Sequence, residues 1–272
     1  MIDIHTHLHP PRLFAAIRRW FAEKSTWNLT QPTEPNLVAQ ALKSRGVERF
    51  VFCSYAHKPG MARSINEWLI QTATELGGFG LPLATVHPGD VDYVEYYREA
   101  LNNGCVGIKI HEDVQQLSID SQQFAPIHKL TAEHQGFVLV HAGHIPWSDD
   151  TNSGPTRIKS VLEQHPKLNV VVAHLGMPDT FEYLALMSAH QNLYLDTTMA
   201  LAASSPMRKE FDLELLIPLS KQILFGSDFP NLPYDYAQEY EPFSVLPAAV
   251  RDAILFENAQ RLLAPHLVTN TY

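Results

Sequence analysis

Short runs of apolar, often β-branched residues recur along the chain, at 2–5 (IDIH), 48–54 (ERFVFCS), 80–86, 105–110, 137–141, 169–174, 192–196 and 222–227. Runs of this length between turn residues read as buried strands, so the pattern predicts eight of them. Between them the apolar positions change to the spacing of a helix packed on one face. Examples are Ile65, Trp68, Leu69, Ala73 and Leu76, then Ile127 and Leu130 with His134, then Ile158, Val161 and Leu162. Gly46, Gly77, Gly104 and Gly136 stand just after helical segments and just before strands, where helices end on glycine.

Strand and helix in alternation imply a parallel sheet with right-handed crossovers. Eight such units in 272 residues fit an α/β fold of one kind, a single (β/α)8 TIM barrel, which usually takes about 250 residues. One domain then spans 1–272. An open doubly wound sheet is the alternative, but no G-x-G-x-x-G follows any strand. The longest connection, 8–35, carries an amphipathic helix with Leu13, Phe14, Ile17, Trp20 and Phe21 on one face. In a barrel this insert overhangs the mouth, where active sites form.

Composition excludes more than it selects. Hydrophobic residues make up 45% and charged residues 18%, an ordinary globular balance. The net charge of −9 and the lack of a basic block argue against nucleic acid as partner. No run of about 18 apolar residues and no leader pattern suggests a membrane partner, so a soluble, cytoplasmic protein is expected. Cys53 and Cys105 each lie in an apolar run and read as core thiols rather than a disulfide. A small-molecule substrate is the expected partner, with assembly into a homo-oligomer left open.

The chain has 14 histidines, and several close strands. His5 and His7 end the first run, two apart and so on one side of a strand. His141 ends the fifth run, His174 ends the sixth, and Asp228 follows the eighth in Gly226-Ser227-Asp228-Phe229-Pro230. Singly, each has an ordinary explanation, as a hydrogen-bonded histidine or a helix N-cap. Together they gain meaning, because the C-terminal ends of all eight barrel strands surround one funnel. Three or more imidazoles and a carboxylate around one point suit zinc or a similar divalent ion.

Asp3-Ile4-His5-Thr6-His7, His141, His174 and the Gly226-Ser227-Asp228-Phe229-Pro230 segment resemble the amidohydrolase superfamily. The likeness is to its amidohydrolase-related branch, which includes aminocarboxymuconate semialdehyde decarboxylase and pyrone-dicarboxylate lactonase. The resemblance implies that His5, His7, His141 and Asp228 hold the metal, with His174 binding a second ion or acting on the substrate. It implies an enzyme in which metal-activated water cleaves an amide, ester or lactone bond. Asp228 would then accept and return the proton, and His174 would polarise the scissile carbonyl. The same branch also supports decarboxylation of an unsaturated carboxylate, and ligand identity does not separate the two reactions. Lys109 lies where binuclear relatives carry a carboxylated lysine bridging two ions, although its stem can also simply carry it to the mouth.

The remaining polar residues carry weaker expectations. His111 and Glu112 lie just beyond Lys109, in reach of the pocket lining, with plain loop surface the default for Glu112. His9, His87 and His144 are supporting rather than ligating. Trp147 either stacks on a planar substrate or packs in its loop. Arg12, Arg18, Arg19 and Lys24 face solvent by default, or bind a substrate carboxylate. His128, His134 and His165 fall on helical stretches as surface or packing residues. A nuclease of the TatD type is disfavoured by the net charge and the absence of a Glu-Ile-Gly-Leu-Asp-like segment. A barrel that binds without catalysis has no need of the whole His and Asp set. Specificity is expected in the loops 8–35, 55–63 and 142–155.

Overall fold

Every apolar run contains a strand. In the computed structural model, which describes residues 1–141, 153–205, 207–209 and 211–267, the strands are β1 (Ile2–His7), β2 (Arg49–Cys53), β3 (Gly80–Leu83), β4 (Gly107–His111), β5 (Phe137–His141), β6 (Asn169–Val172), β7 (Leu193–Asp196) and β8 (Ile223–Leu224). The helices between and after them are α1 (Pro11–Lys24), α2 (Pro35–Ser44), α3 (Ala62–Glu75), α4 (Tyr93–Asn102), α5 (Glu112–Gln115), α6 (Ala125–Glu133), α7 (Pro155–Gln164), α8 (Thr180–Met187), α9 (Ala237–Tyr240), α10 (Ala248–Asp252) and α11 (Asn258–Leu267).

All strand pairs are parallel, in the order β1-β2-β3 and β4-β5-β6-β7-β8. Backbone hydrogen bonds join the two groups at both seams. At the first, Ala84 N donates to Gly107 O and Lys109 N to Ala84 O, each at 2.9 Å. At the second, Ile4 N donates to Phe225 O at 3.0 Å, Asp228 N to His5 O at 2.8 Å and His7 N to Phe229 O at 2.8 Å. The chain is a (β/α)8 barrel.

Alternation along the strands divides the apolar residues into two layers. Ile2, Ile4, Val51, Cys53, Leu81, Leu83, Leu139, Val171 and Leu224 pack together with Leu262 and Leu263 of α11. Phe50, Phe52, Ile108, Ile110, Val138, Val140, Val170 and Val172 pack instead with helix residues such as Ile65, Leu69, Ile127 and Leu162. We read the first layer as the barrel interior. The β1–β2 register shifts between Asp3 and Thr6, a bulge that lets β1 place Ile4 in this layer and His5, one residue later, at the mouth.

Gly46, Gly77 and Gly104 end their helices with φ of 80°, 61° and 103°. At the fourth stop the left-handed residue is Gln135, with φ of 57°. Gly136 is required for close approach, since a Cβ there would lie 2.7 Å from the Val106 carbonyl oxygen. In the segment after β1, Phe14 of α1 is buried, its ring edge-on to His9 with centroids 5.0 Å apart. Leu13, Ile17 and Phe21 are partly covered, and Trp20 is exposed. Among the described residues no helix is long and apolar enough to cross a membrane.

The strand-to-strand fit makes Gly107 intolerant of any side chain, because a Cβ there would sit 2.0 Å from Phe137 O on β5. Gly107→Ala should cost about 1–3 kcal/mol by overpacking. The thermal midpoint, followed by circular dichroism, should fall by several degrees. An unchanged midpoint would contradict this packing.

Candidate metal centre

The mouth is built from strand ends and the turns that leave them. His5 and His7 come from β1, Cys53 from β2, Lys109 and His111 from β4, His141 from β5 and Asp196 from β7. His174 follows β6 and Asp228 follows β8. Both of the latter have left-handed backbone, with φ of 58° and 70°. Such residues cost of order 1–3 kcal/mol each and persist where surrounding bonds fix them. Here Asp228 N donates to His5 O, and His174 N donates to Asp196 Oδ1 at 3.0 Å.

Asp228 Oδ1 lies 3.2 Å from His5 Nε2 and 2.9 Å from His7 Nε2. The far nitrogen of each ring is also engaged. His5 Nδ1 is 2.8 Å from Asp196 Oδ2, and His7 Nδ1 is 3.5 Å from Cys53 Sγ. A carboxylate on Nδ1 holds the proton there and frees Nε2 as a donor atom. The second group lies beside the first. His174 Nε2 is 3.0 Å from His141 Nδ1, and the rings of His5 and His174 lie 5.6 Å apart. His141 stacks on His111 at 4.1 Å. His5, His7 and Cys53 offer ligand atoms that all lie within 4.8 Å of one another.

Burial and charge set the protonation of this cluster. Burial, followed by neighbouring Lys109, lowers the His5 pKa to about 4. Burial, then His111 and His174, holds His141 well below its usual value, and burial with Lys109 does the same to His111. Neutral imidazoles are the form that binds a metal ion. Burial works against the charge on His7, but Cys53 and Asp228 outweigh it and raise its pKa to about 10. Burial alone would raise Asp228, yet His7, His5 and His174 together keep it well below the carboxylate range. Asp3 sits beneath, accepting from Ser227 Oγ at 2.6 Å, Tyr236 OH at 2.9 Å and His5 N at 3.2 Å. Burial outweighs these bonds and raises it to about 7.

All five residues expected at the mouth are therefore in one cluster, with His141 linked through His174. Lys109 reaches the site on its stem: it is 1% exposed, with Nζ 2.9 Å from His5 Nε2. Asp196 went unassigned in the sequence although it ends an apolar run as His141 does. Cys53 is a core thiol that also touches a site histidine.

Glu112 corrects the expectation of loop surface. It is fully buried on α5 and accepts from Ile119 N at 2.8 Å, while its other oxygen has no hydrogen-bond partner among the described residues. His9 is a supporting residue, 2.8 Å from Ser54 Oγ and stacked on His7. His128 is buried against Ile119 O, and Arg18 donates to the carbonyls of Leu29 and Gln31. Arg12, Arg19 and Lys24 are exposed. His144 and Trp147 lie outside the described residues.

A family model described as amidohydrolase matches residues 2–264. A search of curated proteins finds none that matches this chain. Among solved structures, an uncharacterised TIM-barrel protein from Bordetella bronchiseptica superposes with a TM-score of 0.78 at 20% identity, over 98% of this chain and 99% of that one. A dihydroxybenzoic acid decarboxylase from Polaromonas, with bound manganese and the inhibitor 2-nitroresorcinol, gives 0.75 at 14% identity, over 100% and 98%. A probable 2-pyrone-4,6-dicarboxylic acid hydrolase from Acinetobacter baumannii, with citric acid bound, gives 0.66 at 15% identity, over 97% and 98%.

Glu112 makes the stability depend on pH. Burial raises its pKa from 4.5 to about 8, so the folded state holds a proton that the unfolded chain releases. That stabilisation is complete below pH 4.5 and is lost as pH rises towards 8. Glu112→Gln should remove this dependence, raising stability at pH 8 by a few kcal/mol relative to the parent while changing little at pH 4.5. Urea unfolding at both pH values measures it, and equal parent-to-variant differences at the two would contradict it.

Proposed function

The chain belongs to the amidohydrolase family, and we propose that this member is a metal-dependent hydrolase that cleaves an amide, ester or lactone bond of a small molecule. The observation that carries the reading is the convergence of His5 Nε2, His7 Nε2 and Asp228 Oδ1 within 3.2 Å contacts, with His5 fixed from behind by Asp196. These donors, with His141, are the proposed ligands. Nitrogen and carboxylate ligands around a buried point suit zinc. A second ion is a further part of the proposal, held by His174 and a carboxylated Lys109.

When bound, such an ion supplies a Lewis acid and lowers the pKa of water to about 7. Asp228 is ionised at neutral pH and reaches the same point, so it accepts the proton of the attacking water and returns it to the leaving group. His174 donates through Nδ1 to Thr198 O at 3.0 Å, which orients the ring towards the mouth, where it acts on the substrate carbonyl unless a second ion takes it. Lys109 favours a second reading, decarboxylation of an unsaturated carboxylate. Its buried amine lies 2.9 Å from His5 Nε2, where it would donate to a substrate carboxylate.

Purified protein should carry about one zinc per chain, and His5→Ala with His7→Ala should abolish it. Asp228→Asn keeps an oxygen for the ion but loses the base. It should retain metal while turnover falls about 10²–10⁴-fold. A screen of lactones, amides, esters and unsaturated carboxylates, with carbon dioxide release followed in parallel, separates the two reactions. Near-normal turnover in metal-loaded Asp228→Asn would remove Asp228 as the proton carrier.

A further inference from the structure

His5 and His7 are held from behind by unlike partners. Asp196 contacts His5 Nδ1 at 2.8 Å, whereas among the described residues the partner of His7 Nδ1 is a sulfur, Cys53 Sγ at 3.5 Å. The contact follows from the strand register, which pairs His7 on β1 directly with Cys53 on β2. Cys53 is fully buried, and its thiol donates to Thr6 O at 3.4 Å. A thiol that donates there keeps a sulfur lone pair for the Nδ1–H of His7.

The tautomer of His7 is what this contact decides. An imidazole binds an ion in its neutral form, which carries one proton, on either nitrogen. Asp228 Oδ1, 2.9 Å from Nε2, is an ionised acceptor and draws the proton to Nε2. In that tautomer Nε2 has no lone pair for an ion. An acceptor at Nδ1 opposes this, and His7 is only 5% exposed, which leaves little room for water in that role. We propose that Cys53 is a positioning residue for His7: its sulfur accepts the Nδ1–H, keeps the ring in the orientation set by β1, and reserves Nε2 for the metal ion. The inference rests on the metal reading of His5, His7 and Asp228.

The test is zinc affinity of the full chain, measured by competition with a chelator, for the parent, Cys53→Ser and Cys53→Ala, with circular dichroism to confirm folding. Partners behind a metal-bound histidine typically contribute about 10–100-fold to affinity. Cys53→Ala should weaken zinc by that factor. Cys53→Ser, which keeps a donor and an acceptor, should restore most of it. Cys53→Val fills the space without an acceptor and gives the same comparison if the alanine variant does not fold. Cobalt-loaded parent protein should show no thiolate-to-cobalt charge-transfer absorption, since Cys53 lies behind His7 and not on the ion.

Unchanged zinc affinity in Cys53→Ala or Cys53→Val overturns the inference, as does equal weakening in Cys53→Ser. A thiolate-to-cobalt band overturns it too, and makes Cys53 a ligand. If His5→Ala with His7→Ala leaves zinc bound, the metal reading itself has failed. If that pair releases zinc and the Cys53 variants do not weaken it, only the role of Cys53 has.

Discussion

The hydrogen bonds that close β8 onto β1 are the constraint on which the site depends. Asp228 N and Ser227 N both reach His5 O, and Ile4 and His7 donate to Phe225 and Phe229 on either side. These bonds bring a residue near the end of the sequence against two near its start. Asp3 reinforces the same seam by tying the backbone of His5 to Ser227 and Tyr236. Gly226 lets the two segments touch, since a Cβ there would lie 2.4 Å from Thr198 Oγ1 and 2.9 Å from His5 Cβ. Asp228 adopts its left-handed backbone because this frame holds it, and its carboxylate then has one place to go.

Closure also creates an electrostatic problem. Asp196, Asp228, Lys109 and several imidazoles share a space with little solvent, where unpaired charge is costly. The carboxylates are met by ring nitrogens and backbone N–H groups, and most of the imidazoles are pushed towards the neutral form. The arrangement leaves nitrogen lone pairs and an ionised carboxylate around one point, which is what a divalent cation needs. Metal ligands bind in their deprotonated forms, so protons and an ion would compete for these same atoms.

The barrel was legible because its strands are apolar on both faces and short, so the runs stood out and the spacing between them changed period. His5, His7, His141, His174 and Asp228 were legible because each interrupts an apolar run at its end. Asp196 satisfies the same rule and was passed over, since an aspartate closing Leu193-Tyr194-Leu195 looks like an ordinary strand terminus until His5 is seen against it. Cys53 has no such mark, because a thiol in an apolar run is indistinguishable from a core residue without the register that sets it opposite His7. Glu112 is hidden for a related reason: its carboxylate is buried and accepts from Ile119 N, seven residues on, a contact that a polar Glu-Asp pair does not announce. The bulge in β1 was also invisible, since strict alternation alone does not put Ile4 and His5 on one side.

The central claim is that barrel closure assembles one ion site from β1 and the turn after β8. Anomalous diffraction at the zinc edge from crystals of the zinc-loaded protein tests it most directly. The account predicts an ion about 2.0–2.2 Å from His5 Nε2, His7 Nε2 and a carboxylate oxygen of Asp228. An ion found only among His111, His141 and His174, with Asp228 still hydrogen-bonded to His7, would contradict it.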